Sequence, residues 1–96
     1  MFLTSTAYAD RELCTADAKP HGAPIDVDVH GADLQDVLRM IADAGHVNLA
    51  MSSDVSGKVT LKLKRVAWDQ AACAVAGLFK LSITIDGNIL LVRKTK

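Results

Sequence analysis

The residues of this chain suited to chemistry are three histidines (His21, His30, His46), two carboxylates two apart (Asp26, Asp28), serines 52, 53 and 56, and two cysteines, Cys14 and Cys73. A zinc site needs ligands paired at short spacing. The histidines are scattered over a leader, a strand end and a helix end, so they read as solvated. Two acids on one strand face resemble a general acid and base pair. An internal repeat accounts for them better, because it sets Lys62 at the position equivalent to Asp28 and Lys64 at that of His30. If the two strands are neighbours, opposite charges face each other on an outer surface, worth roughly 0.2–1 kcal/mol a pair. Register and solubility are then their role. The serines have no histidine placed as a base and no Gly-x-Ser-x-Gly elbow. Gly57 is followed by no Lys-Ser or Lys-Thr pair and leads into a strand, unlike a phosphate loop. No catalysis, metal or cofactor is expected.

The chain has 96 residues, half of them hydrophobic, which is enough for one domain and one core. Eleven basic residues balance eleven acidic ones, which argues against an electrostatic grip on nucleic acid or an anionic membrane. The aromatic residues Phe2, Tyr8, Trp68 and Phe79 fall on no predicted strand, so no sheet presents rings for stacking bases. Arg93, Lys94 and Lys96 read as a solvated tail, 94–96. Residues 1–9 are apolar or small and end in Ala7-Tyr8-Ala9, the small-x-small pattern of export-signal cleavage, without a basic start or a full apolar stretch. They read as a signal remnant, and the protein as exported. No run approaches the 18 or so apolar residues of a membrane span. In an exported chain Cys14 and Cys73 can form a disulfide tying the N-terminal segment to the second helix; two free thiols are the alternative.

These residues are positioned by a duplicated framework. Shifted by 34 residues, the chain lies on itself without a gap from Val27 onward: Val27 on Leu61, Val29 on Leu63, Leu34 on Trp68, Leu38 on Ala72, Ile41 on Val75. Such a repeat means one strand, helix, strand unit built twice, each with an apolar face it cannot bury alone.

After an irregular leader, 10–24, ordered only if Cys14 anchors it, Ile25, Val27 and Val29 alternate with polar residues as a strand that Gly31 ends. Asp33 opens a helix carrying Leu34, Val37, Leu38 and Ile41, which Gly45 stops. Val47, Leu49 and Met51 form a second strand, and Val59, Leu61 and Leu63 a third. A second helix over 67–79 has a stripe at Trp68, Ala72, Val75 and Phe79. There Trp68 reads as core rather than as an exposed anchor, and Cys73 lies off the stripe. Leu81, Ile83 and Ile85 lead through a hairpin at Asp86, Gly87 and Asn88 into a last strand, Ile89–Arg93, outside the repeat. The order βαββαββ suits either a ferredoxin-like sheet or two small sheets enclosing both helices.

The stretch Asp54-Val55-Ser56-Gly57-Lys58-Val59-Thr60-Leu61-Lys62-Leu63, followed by Val66-Ala67-Trp68-Asp69-Gln70-Ala71, resembles the short N-terminal domain shared by secretins and TonB-dependent transducing receptors. Ile25–Val29, then Ala32, Asp33, Leu34, Asp36, Val37, Leu38 and Asn48, agree with it. The likeness covers about 70 residues and is strongest to type IV pilus secretins. Receptor versions more usually carry a proline where His30, Gly31 and Ala32 stand.

The resemblance implies an α+β fold over 25–93, two helices between a two-stranded and a three-stranded sheet, in the periplasm, acting as a protein-binding adaptor. Its partner would be a secretin, pilus or inner-membrane component of the envelope. The alternative is a receptor-type signalling domain that binds an inner-membrane anti-sigma regulator. Because the chain ends after the fifth strand, it is expected to be a free-standing domain or a fragment, not itself a channel. The expected handle is a free sheet edge, on Ile25, Asp26, Val27, Asp28 and Val29 or on the strand bearing Thr60, Lys62 and Lys64, with the uncovered strand left open.

Overall fold

The structure, a computed structural model, describes residues 11, 12, 14 and 22–95. The signal remnant, His21, Lys96 and most of the leader lie outside the described residues. The elements are β1 (Arg11–Glu12), β2 (Pro24–Asp33), α1 (Leu34–Ala44), β3 (Asn48–Met51), β4 (Lys58–Ala67), α2 (Trp68–Phe79), β5 (Leu81–Asp86) and β6 (Ile89–Lys94). β2 and β4 pair as an antiparallel ribbon, and the second sheet has the order β1-β5-β6-β3. Both helices pack between the two sheets. The open choice therefore resolves to the two-sheet fold, with the two-residue β1 added to the expected three strands.

Alternation builds the ribbon: Val27 and Val59 are buried while Asp26, Asp28, Lys62 and Lys64 are exposed. α1 buries Leu34, Val37, Leu38, Ile41 and Ala42 on one face, and the Asp33 carboxylate caps its start by accepting from the Gln35 amide at 2.9 Å. α2 buries Ala71, Ala72, Val75 and Ala76, a small-sided face that lets it approach closely, with Trp68 and Phe79 half-buried against the core. Ile83, Leu90 and Val92 close the core from the larger sheet. Each such side chain contributes about 1.5–3 kcal/mol on burial.

The duplication is literal in the backbone. β2 and β4 begin and end 34 residues apart, as do the first residues of the helices, Leu34 and Trp68. The left-handed residues come in equivalent pairs: Gly31 and Arg65 at φ 62° and 55°, His46 and Lys80 at 56° and 55°. The Leu34 amide donates to the Gly57 carbonyl at 2.9 Å, and the equivalent Trp68 amide to that of Ala23 at 3.1 Å. Asp28 pairs with Lys62, its own equivalent, so the ribbon's pseudo-twofold axis passes between them.

Three expectations need correction. Gly31 does not end its strand. β2 continues to Asp33 through a bulge that absorbs the extra residue, and Arg65 makes the matching bulge in β4. Each bulge frees an amide that a side chain across the ribbon takes up: Gly31 donates to Thr60 Oγ1 at 2.9 Å, Arg65 to Asp26 Oδ1 at 2.8 Å. Second, Lys64 does not face His30, because an antiparallel ribbon centred on Asp28 and Lys62 sets Lys64 beside Asp26 instead. Third, Gly45 follows α1 at φ −86°, and the left-handed turn falls to His46.

A left-handed conformation costs a residue with a Cβ roughly 1–2 kcal/mol, partly offset by glycine's greater chain entropy. Lys80→Gly, at the C-cap of α2, is therefore expected to stabilise the domain by about 0.5–1 kcal/mol, and Gly31→Ala to destabilise it by a similar amount. Urea unfolding of the two variants checks the opposite signs.

Candidate docking edges

A two-stranded sheet leaves one side of each strand unpaired, so both expected strands are open among the described residues. Their inward residues hold the core: Val27 is buried, and Ile25 and Val29 pack against the cluster. Their outward rows differ in sign. β2 exposes Asp26, Asp28 and His30, whereas β4 exposes Lys58, Thr60, Lys62 and Lys64. Asp26 is partly committed to the Arg65 amide, and Thr60 to that of Gly31. Pairing two copies through the same edge would set like charges opposite each other, which is unfavourable.

The larger sheet has two further edges. β1 covers β5, with Arg11 opposite Ile85 and Glu12 opposite Thr84, whereas β3 is uncovered among the described residues. That β3 edge went unnoticed in the sequence, where its one signal is a strand, Asn48–Met51, without charge or proline.

The segment ahead of β2 is fastened to α2. Cys14 and Cys73 are joined with their Cα atoms 5.4 Å apart. The Gly22 amide donates to Asp69 Oδ1 at 3.3 Å. Trp68 is the reason two glycines are needed: a Cβ on Gly45 would fall 2.5 Å from its Cδ2, and one on Gly22 would lie within the van der Waals surface of the indole edge. Gly45 thus serves close approach, not chain reversal. The indole lies between them, half-buried, as part of the packing and not as a free anchor.

Among the described residues no three His, Cys, Asp or Glu side chains cluster as a metal site would require, and no helix is long and apolar enough to cross a membrane.

No family-wide sequence profile matches the chain. It is 36% identical over 69 residues to the type IV pilus biogenesis and competence protein PilQ of Neisseria gonorrhoeae, 72% of this chain and 10% of that protein. It is 38% identical over 71 residues to the fimbrial assembly protein PilQ of Pseudomonas aeruginosa, 74% of this chain and 10% of that protein. With the DNA utilization protein HofQ of Escherichia coli the identity is 39% over 75 residues, 78% of this chain and 18% of that protein. The fold matches the N0 domain of the type II secretin from enterotoxigenic Escherichia coli at a TM-score of 0.68 and 15% identity, covering 76% of this chain and 96% of that one. This chain is a secretin N-terminal domain. It spans about a tenth of the PilQ relatives.

The secretin domain has a single tryptophan, so its fluorescence reports on the Gly22–Trp68–Gly45 contact. Gly45→Ala is expected to cost about 1–3 kcal/mol by overpacking and to shift the emission of the native state. Cys73→Ser releases a cross-link that spans 59 residues and is expected to lower stability by roughly 2–4 kcal/mol. Native mass before and after reduction tests the bond itself: a gain of about 2 Da is expected, and none would rule it out.

Proposed function

We propose that this secretin domain is a periplasmic adaptor of a secretion or type IV pilus machine, docking protein partners of the cell envelope through the edges of the β2–β4 ribbon. The observation that carries the reading is that both strands offer an unpaired edge flanked by charges of opposite sign. A partner strand laid on either edge gains main-chain hydrogen bonds worth about 0.5–1.5 kcal/mol each, with cross-strand charges adding selectivity. The β2 edge suits a partner strand with basic residues, the β4 edge one with acidic residues. The domain binds and does not catalyse. Its pilus-assembly and DNA-utilization relatives support a machine component over a receptor-type signalling domain, and the Cys14–Cys73 pair supports an oxidising compartment.

Charge reversal tests the edges without disturbing the core. Asp28→Lys and Lys62→Glu are each expected to weaken partner capture from envelope extracts at unchanged melting temperature. The double variant restores their mutual complementarity while inverting both edges, so it should remain stable and still fail to capture. Val27→Asp, at 1% exposure, is expected to unfold the domain. Undiminished capture by all three charge variants, measured by quantitative pull-down, would retire the ribbon as the docking surface.

A further inference from the structure

β3 and β5 are equivalent strands of the duplication, and both flank β6 in the larger sheet. One is covered by β1 and the other is open. The amide of Asn48 donates to the Asn88 carbonyl at 2.7 Å and that of Ser52 to the Val92 carbonyl at 3.2 Å. Alternation along the strand therefore turns the amides and carbonyls of Leu49 and Met51 away from β6, toward the uncovered side.

The edge lacks the devices that blunt the ribbon. β2 and β4 have charged outer rows and bulges, and β2 begins with a proline, whereas β3 has no charge, bulge or proline. Beside it the outer face of the sheet is hollowed into an open groove of about 340 Å³ lined by Ala50, Met51, Ser52, Leu91, Val92 and Arg93. The hollow has a local cause. Ala50 stands in register with Leu91, and its small side chain leaves Leu91 partly open. Along the same outer row Ile89 is 37% exposed and Arg93 carries the charge at the groove's end.

We propose that the β3 edge and this groove form a second docking site, distinct from the ribbon. It takes an extended segment of a partner protein with a large apolar side chain over Ala50 and Leu91 and a carboxylate two residues along, facing Arg93. The backbone bonds come from Leu49 and Met51, and the apolar side chain fills the hollow. The spacing of two follows from Leu91 and Arg93 lying two apart on one face of β6. The charge of Arg93 selects an acidic partner.

The test uses the full chain labelled with ¹⁵N and ¹³C methyl groups, and an acetylated, amidated eight-residue peptide of alternating threonine and valine in which one valine is phenylalanine and the residue two places on is glutamate. Chemical-shift changes are expected at the amides of Leu49 and Met51 and at the Leu91 methyls. Replacing the peptide's phenylalanine by alanine, or its glutamate by lysine, is expected to weaken binding by about tenfold. Arg93→Glu should reverse the preference between the glutamate and lysine peptides, and Ala50→Phe should fill the groove and abolish binding, with both variants keeping the melting temperature. No shift changes at millimolar peptide, changes confined to β2 and β4, or indifference to the glutamate would overturn the proposal. So would a dimer of the free protein that Ala50→Phe disrupts, since β3 would then serve a second copy. The ribbon reading is tested separately: partner capture lost on charge reversal at Asp28 and Lys62 but kept in Ala50→Phe and Arg93→Glu leaves it standing when this one fails.

Discussion

Two strands that pair about a point between a residue and its own repeat equivalent hold this domain in its arrangement. Neither copy of the strand, helix, strand unit can cover its apolar face alone. The antiparallel ribbon joins the copies so that those faces meet, with Asp28 and Lys62 at the centre and the bulges at Gly31 and Arg65 on either side. Because the operation is twofold, whatever the backbone does in one half it repeats in the other: the helix starts, the amides donated to Gly57 and Ala23, and the left-handed turns at His46 and Lys80. The helices are enclosed as a consequence, since each follows its ribbon strand directly and the remaining strands must close over the opposite side.

Function arises where the side chains depart from that symmetry. At the axis, an identical repeat would set like charges face to face; aspartate against lysine removes that conflict and gives the two edges opposite sign. Around the second helix, the pair Gly45 and Trp68 is equivalent to Phe79 and Leu34, so small and large residues have exchanged places between the halves. The indole in turn requires a glycine in the incoming segment, Gly22, and Phe79 lies where a Cβ on Gly57 would fall 2.7 Å from its ring. The segment from Arg11 to Ala23 has no repeat counterpart. It covers the β5 edge and leaves the equivalent β3 edge open, so one symmetric scaffold presents distinguishable surfaces.

A domain of this kind acts through backbone availability and charge pattern rather than through converging reactive groups. The described titratable side chains lie on outer rows, turns and helix ends, where they set register, cap amides or meet solvent, as Asp33 does at α1 and Asp26 at the Arg65 bulge. That distribution fits a part whose work is holding other polypeptides in place within an envelope assembly.

Much of the architecture was legible in the chain itself. The 34-residue apolar register and the alternation of Val27, Val59 and Ile83 specify the elements and the duplication, because periodicity records which face each element must bury. The order of elements alone left two folds open; the family likeness of the Asp54–Ala71 stretch favoured the enclosed-helix fold. What the chain could not disclose depends on partners distant in sequence. Gly31 as a bulge rather than a stop, Gly45 as a seat for Trp68 rather than a turn, and Lys64 beside Asp26 all follow from the antiparallel pairing of β2 with β4 or from helix packing, which local pattern does not encode. Which edges remain open was likewise decided in three dimensions: an unpaired amide looks the same in sequence as a paired one until the neighbouring strand is placed.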